Sequence, residues 1–394
     1  VGQPRASLVA GLVVALASCS FGSPSEGVDR LVVVGDDGNV ATVAPDGTDR
    51  VAVTTDATPG RPYFQPTWSP SADRLAFSRP GDSTLLVSPV DGPPEALPVA
   101  APPFYLAWSP DESGLTLLRN AGPDGLALDY VTVEGTGIGA PAELGRGQPF
   151  YFSWSPEGDR LVSHAGSERL EIQTLGGGPA PLGPAPGSSQ APQWIGSGIV
   201  TVIREGDQQQ IALVGTDGGI EPLAVAPGTV VFTADPTGSR LAVEPVGRQP
   251  ATIEALYRPV PELALNRLSV LDIASGEVQS VTSQPVVAFF WSPGGDRLLV
   301  LGGTNRPGEL VWSVWEDGTT TELTRFVAPT TFAADLVPFF DQYAQSMTLW
   351  SPDGAAFAFP GDIEGERGIW VQHVTGDREL RRVSDGSWVA WSPR

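Results

Sequence analysis

Lysine is missing from this chain altogether: all 23 basic residues are arginine, set against 45 Asp and Glu. The resulting net charge of −22 excludes a protein that grips a nucleic-acid backbone, because phosphates need an excess of basic side chains. A solvated acidic surface follows instead. Cysteine occurs once, at Cys19, which rules out an intrachain disulfide and a thiolate metal cluster. The two histidines, His164 and His373, are far apart, and no His-Glu-x-x-His spacing exists. A Gly-x-Ser-x-Gly nucleophile elbow is likewise absent. No metal or other cofactor is expected, and the chain is not expected to be an enzyme. Long apolar runs are scarce too: Leu8 to Leu16 is uninterrupted but too short to span a bilayer as a stable helix.

That run follows Arg5 and leads into Leu16-Ala17-Ser18-Cys19. A basic start and a short apolar stretch suit an export signal, and the last four residues resemble the lipobox of bacterial lipoproteins. The resemblance implies a signal peptide over 1–18, cleaved before Cys19, with Cys19 carrying the lipid. Residues 19–28 then form a lipidated tether. Buried acyl chains contribute roughly 0.8 kcal/mol per CH₂, so a multiply acylated cysteine would hold the protein on a membrane. Nine extended residues, Ser20 to Val28, reach about 30 Å, which keeps the body close to the bilayer. The expected location is exported and lipid-anchored, in the cell envelope or periplasm.

What the chain has in abundance is one repeat. Trp-Ser-Pro stands at 68–70, 108–110, 154–156, 291–293, 350–352 and 391–393, with weaker copies starting at Trp194 and Ala234. The steps between these anchors are 40, 46, 40, 40, 57, 59 and 41 residues. A period near 40 to 45 made of short strands marks a β-propeller. Each copy reads as an apolar strand ending at the anchor, a turn, a second strand such as Arg74 to Phe77, then a third and fourth strand. Proline after the tryptophan cannot donate to a ladder and marks the strand's end. A second marker, a hairpin pair such as Asp46-Gly47, Asp217-Gly218 or Asp317-Gly318, also recurs eight times. The last residues, Trp388 to Trp391, read as a first strand, and Arg30 to Val53 as the second, third and fourth. The expectation is all-β: a single eight-bladed propeller over 29–394, made of four-stranded antiparallel blades and closed one-plus-three, which leaves no free sheet edge. The anchor tryptophans are expected to wedge between neighbouring sheets.

Over residues 30–394 the Trp-Ser-Pro-x-Gly-x-Arg-Leu-Ala-Phe pattern with its later Asp-Gly turn resembles the repeats of TolB-type β-propellers. Such repeats identify an architecture more specifically than a function. In that family the Trp-Ser-Pro strand is innermost and the propeller is a periplasmic binding scaffold. The resemblance therefore implies that loops joining strand two to three, and one blade to the next, share an upper face.

Two long insertions open on that face: Glu244 to Asn266, with Tyr257 and Arg258, and Val327 to Ser346, with Phe339, Phe340, Asp341 and Tyr343. Long loops on a rigid scaffold commonly carry recognition. Arg79, Arg119, His164, Arg204 and Arg306 lie where second strands end. They form either a positive rim that captures a carboxylate or phosphate, or local pairs with Asp82, Asp124, Glu168 and Asp207, each contributing little. Aromatics cluster where inner strands start, at Tyr63-Phe64, Phe104-Tyr105 and Phe150 to Phe152. Alternation divides them between blade core and channel.

The function expected is a membrane-anchored extracytoplasmic scaffold, a monomer that recognises a protein, peptide or envelope polymer through the upper face. The alternatives are a propeller hydrolase or lyase working in the central channel, and an accessory subunit of a transporter or sensor.

Overall fold

The structure, a computed structural model, describes residues 29–394 apart from 91, 136, 167, 206–207 and 248–259. Short antiparallel strands dominate it, and among the described residues no helix is long and apolar enough to cross a membrane. The strands form seven hydrogen-bonded sheets. Five have four strands, one has five and one has seven.

The sheet of the second repeat shows the plan. Phe64–Trp68 pairs with Arg74–Arg79, which pairs with Thr84–Pro89, which pairs with Glu95–Pro98. Burial falls outward: the three inner strands are largely buried and Glu95–Pro98 is mostly exposed. The seven-stranded sheet holds two repeats, Val286 to Val327 and Ala356 to Ser384, joined by the single pair Val327–Asp362. The Trp350 anchor meets Phe357 there as an isolated bridge. In the first sheet Leu31–Val34 pairs with Trp388–Trp391, Leu31 opposite Trp391 and Val34 opposite Trp388. The last strand is thus the inner edge of the first sheet. Successive sheets pack face to face: Ala76, Leu85 and Val87 share a core with Leu106, Leu115 and Val131, and Leu31, Val33 and Ala41 share one with Ala358 and Val371.

The repeat motif has a local physical cause. After each tryptophan the serine is fully buried, and its Oγ accepts the N–H that opens the second strand. The pairs are Arg74 to Ser69 (3.1 Å), Gly114 to Ser109 (3.1 Å), Arg160 to Ser155 (3.2 Å), Arg297 to Ser292 (3.0 Å) and Ala356 to Ser351 (3.0 Å). The same hydroxyl donates to an aspartate in the turn, as Ser109 does to Asp111 at 2.6 Å. In the weaker copy Asp235 takes over, accepting from Arg240 at 2.9 Å. Each turn is thereby closed without leaving a buried backbone donor unpaired.

The tryptophans wedge as their size suggests. Nε1 of Trp291 donates to the Thr233 carbonyl (3.1 Å), Trp350 to Phe290 (3.1 Å) and Trp68 to Ala390 (3.2 Å), each reaching the inner strand of the neighbouring repeat. The arginine opening the second strand covers a ring of the following repeat: Arg74 over Trp108, Arg160 over Trp194 and Arg240 over Trp291, at 5.1 to 5.2 Å. These cation–π contacts occupy the indole faces that a sugar ring would need.

Candidate functional site

Inner strands of successive sheets line a central channel. Its lower end carries the Trp-Ser-Pro turns. At its upper end the connection from Val327 to Trp350 folds inward as three short helical turns, Phe332–Leu336, Val337–Phe339 and Phe340–Tyr343. Phe332, Leu336, Phe340 and Tyr343 recur at helical spacing and all are buried. Phe340 packs edge-on against Phe289 (centroids 4.7 Å apart), and Tyr343 against Tyr105 (4.9 Å).

Hydrogen bonds fix this plug to several sheets at once. Gln342 Oε1 accepts the Phe152 N–H and its Nε2 donates to the Phe152 carbonyl, both at 2.8 Å. The Tyr105 hydroxyl donates to the Gln342 carbonyl at 3.0 Å and lies 2.7 Å from Ser346 Oγ. Tyr343 Oη receives the Gln65 side-chain amide and donates to the Phe104 carbonyl at 3.2 Å. Asp341 Oδ2 accepts the Ala191 N–H at 3.3 Å. Burial pushes the Asp341 carboxyl up to about 7, against the pull of the Ala191 and Gln342 amides.

A cavity lies on either side of the plug. Below it, about 570 Å³ is walled by tryptophans 108, 154, 194, 291 and 350 and extends down to the prolines of the lower turns. Above and beside it, about 400 Å³ lies between the plug and the upper ends of three sheets, lined by Phe64, Phe104, Phe150, Tyr151, Asp335 and Phe339 among others. Tyr105 and Gln342 line both and form the wall between them. Phe104 and Phe339 are the two exposed phenylalanines among the described residues, at 38% and 43%, and both line the upper cavity.

The expected site residues separate accordingly. Phe340, Asp341 and Tyr343 are buried inside the plug, while Phe339 stands exposed on it. Arg79 reaches Asp56 (2.7 Å) and Asp82 (3.4 Å) and lies over the Tyr63 ring. Arg119 grips the buried Asp129 through two nitrogens, at 2.6 and 3.1 Å, and also meets Glu143. Arg306 pairs with Glu309 and is 77% exposed. Among the described residues three of the five rim residues therefore make local pairs, two of them with partners the sequence did not suggest. Arg204 is exposed. His164 is buried, its Nδ1–H donating to the Gln190 carbonyl at 3.0 Å, and desolvation holds its pKa below the ordinary histidine value. Cys19, Tyr257 and Arg258 lie outside the described residues.

Sequence reasoning missed Gln65 and Asp335, and it gave no role to Gln342 within the Phe339 to Tyr343 run. The helical spacing of Phe332, Leu336, Phe340 and Tyr343 was the available signal that this connection buries one face. No protein-family model and no curated protein sequence matches the chain. Solved structures do. Dihydro-heme d1 dehydrogenase NirN is 12% identical over 93% of this chain and 75% of its own, with a TM-score of 0.61. A eukaryotic initiation factor is 14% identical over 93% and 99%, with a TM-score of 0.59. TolB from Acinetobacter baumannii is 11% identical over 92% and 82%, at 0.42. At such identities the likeness concerns the fold alone, and the fold is a β-propeller.

Proposed function

We propose that this chain is an eight-bladed binding propeller, tethered to a bacterial envelope membrane through Cys19, that recognises a protein or peptide at its upper face. The count takes the seven-stranded sheet as two blades, which its single joining pair supports. In this reading Trp388–Trp391 closes the ring against Leu31–Val34. The observation that carries the function is the plug. It occupies the upper end of the channel, presents Phe339 to solvent, and leaves an apolar cavity open beside it. Rigid scaffold, exposed aromatic and adjoining pocket together make an anchor site for a partner's side chain.

The tether supports the orientation. Arg30 N–H donates to Ser392 Oγ at 3.1 Å, at the lower end of the first sheet. A lipid on Cys19 would therefore hold the lower end toward the membrane and turn the upper face outward.

The test is photocrosslinking in intact cells, with a crosslinkable residue at Phe339 and, as control, at Val278 on an outer strand. Phe339 should yield a discrete partner that Val278 does not. Equal products from both positions, or none from Phe339, would sink the proposal.

A further inference from the structure

The chemistry of the upper cavity narrows what enters it. Its walls are almost wholly aromatic and aliphatic, and no basic residue lines it. One charged side chain does, Asp335, which is half-buried on the plug. Among the described residues its carboxylate makes no ion pair and no hydrogen bond, while other carboxylates such as Asp56, Asp129 and Glu316 are paired with arginine. Asp335 lies close enough to Tyr343 to join burial, the main cause, and Tyr105 in raising that phenol's pKa.

A second acceptor stands unsatisfied in the same wall. Gln65 is 4% exposed, spends its amide N–H on Tyr343, and keeps an Oε1 with no partner. Both are hydrogen-bond acceptors, Asp335 at the cavity surface and Gln65 Oε1 buried behind it. Around them are ring faces, whose quadrupoles attract cations. A neutral apolar ligand would leave the carboxylate uncompensated, and an anion would be repelled by it.

We infer that the upper cavity binds an ammonium group carried on an apolar body, such as a lysine side chain or terminal amine of a peptide. Aromatic rings hold the body while Asp335 takes up the N–H donors, and the buried Gln65 Oε1 adds a negative dipole behind the wall. The chain has no lysine of its own to occupy the pocket, and its charge of −22 draws cationic partners toward it. The inference rests on the upper-face reading above and names the ligand that face selects.

Two probes of similar size separate the ideas: 2-phenylethylammonium and 2-phenylethanol, titrated calorimetrically into the purified full chain. The ammonium should bind about tenfold more tightly, a difference of about 1.4 kcal/mol. Asp335→Asn should lower ammonium affinity to that of the alcohol and leave the alcohol unchanged. Phe339→Ala should weaken both. If the alcohol binds as well as the ammonium, or Asp335→Asn leaves the ammonium unaffected, the cation claim is overturned while the pocket stands. If neither probe binds, or Phe339→Ala changes neither, the upper-face reading itself fails.

Discussion

The side-chain amide of Gln342 pairs with the backbone of Phe152 as a neighbouring strand would, accepting its N–H and donating to its carbonyl at 2.8 Å each. An inner strand has no partner on its channel side, and here one glutamine from a distant connection supplies it. Gln342→Leu would leave both Phe152 groups buried and unpaired. A loss of roughly 2–4 kcal/mol is expected from urea unfolding. Enhanced binding of an apolar dye should accompany it as the plug loosens.

Asp341 makes the plug sensitive to pH. Its carboxyl is raised by burial from near 4 in the unfolded chain to about 7 in the fold. No basic residue pairs with it among the described residues. A raised acid favours the protonated folded state, so the contribution of Asp341 to stability is greatest below about pH 4. It falls as pH rises through 7. Asp341→Asn should therefore match the parent in thermal melts at pH 4 and melt higher at pH 8. A constant offset across that range would contradict the assignment.

The arginines divide by burial. Arg119→Ala would strand Asp129, which is 3% exposed, without its bidentate partner, and should cost about 3–5 kcal/mol. Arg306→Ala removes a pair whose arginine is 77% exposed and should change stability by less than about 0.5 kcal/mol. Denaturant midpoints of the two variants compare them directly.

Turn geometry offers a stabilising change. The turn after the anchor places Gly158, Gly295 and Gly354 at φ of 66 to 78°, while the second repeat puts Ala72 there at 61°. Ala72→Gly should gain about 1 kcal/mol by relieving the Cβ. Gly354→Ala should lose about as much, since the added carbon meets nothing closer than 3.6 Å and backbone strain alone is at stake. Midpoints from urea titration of both variants should move in opposite directions.

The sequence displayed the blades because their cause is local. Serine, proline, the turn glycine and the arginine act within seven residues of each anchor, so the motif repeats visibly. The wedge role of Trp68, Trp291 and Trp350 follows from the same regularity. The plug was legible as length but not as placement. Phe339 to Tyr343 reads as a mixed polar and aromatic loop, and its burial depends on Gln65, Tyr105 and Phe152, some 190 to 280 positions earlier. Asp335 passed unnoticed because an unpaired carboxylate is distinguished only by what surrounds it.

The pairing of Leu31–Val34 with Trp388–Trp391 sets an order of events. The earliest strands to emerge carry an unsatisfied edge until the final four-residue strand arrives, more than 350 residues later. A newly made chain would spend that interval with a sticky flank, exposed to any passing strand. Shielding of the nascent amino-terminal strands then becomes a requirement of the architecture, and loss of the carboxy-terminal strand would be felt first at the opposite end.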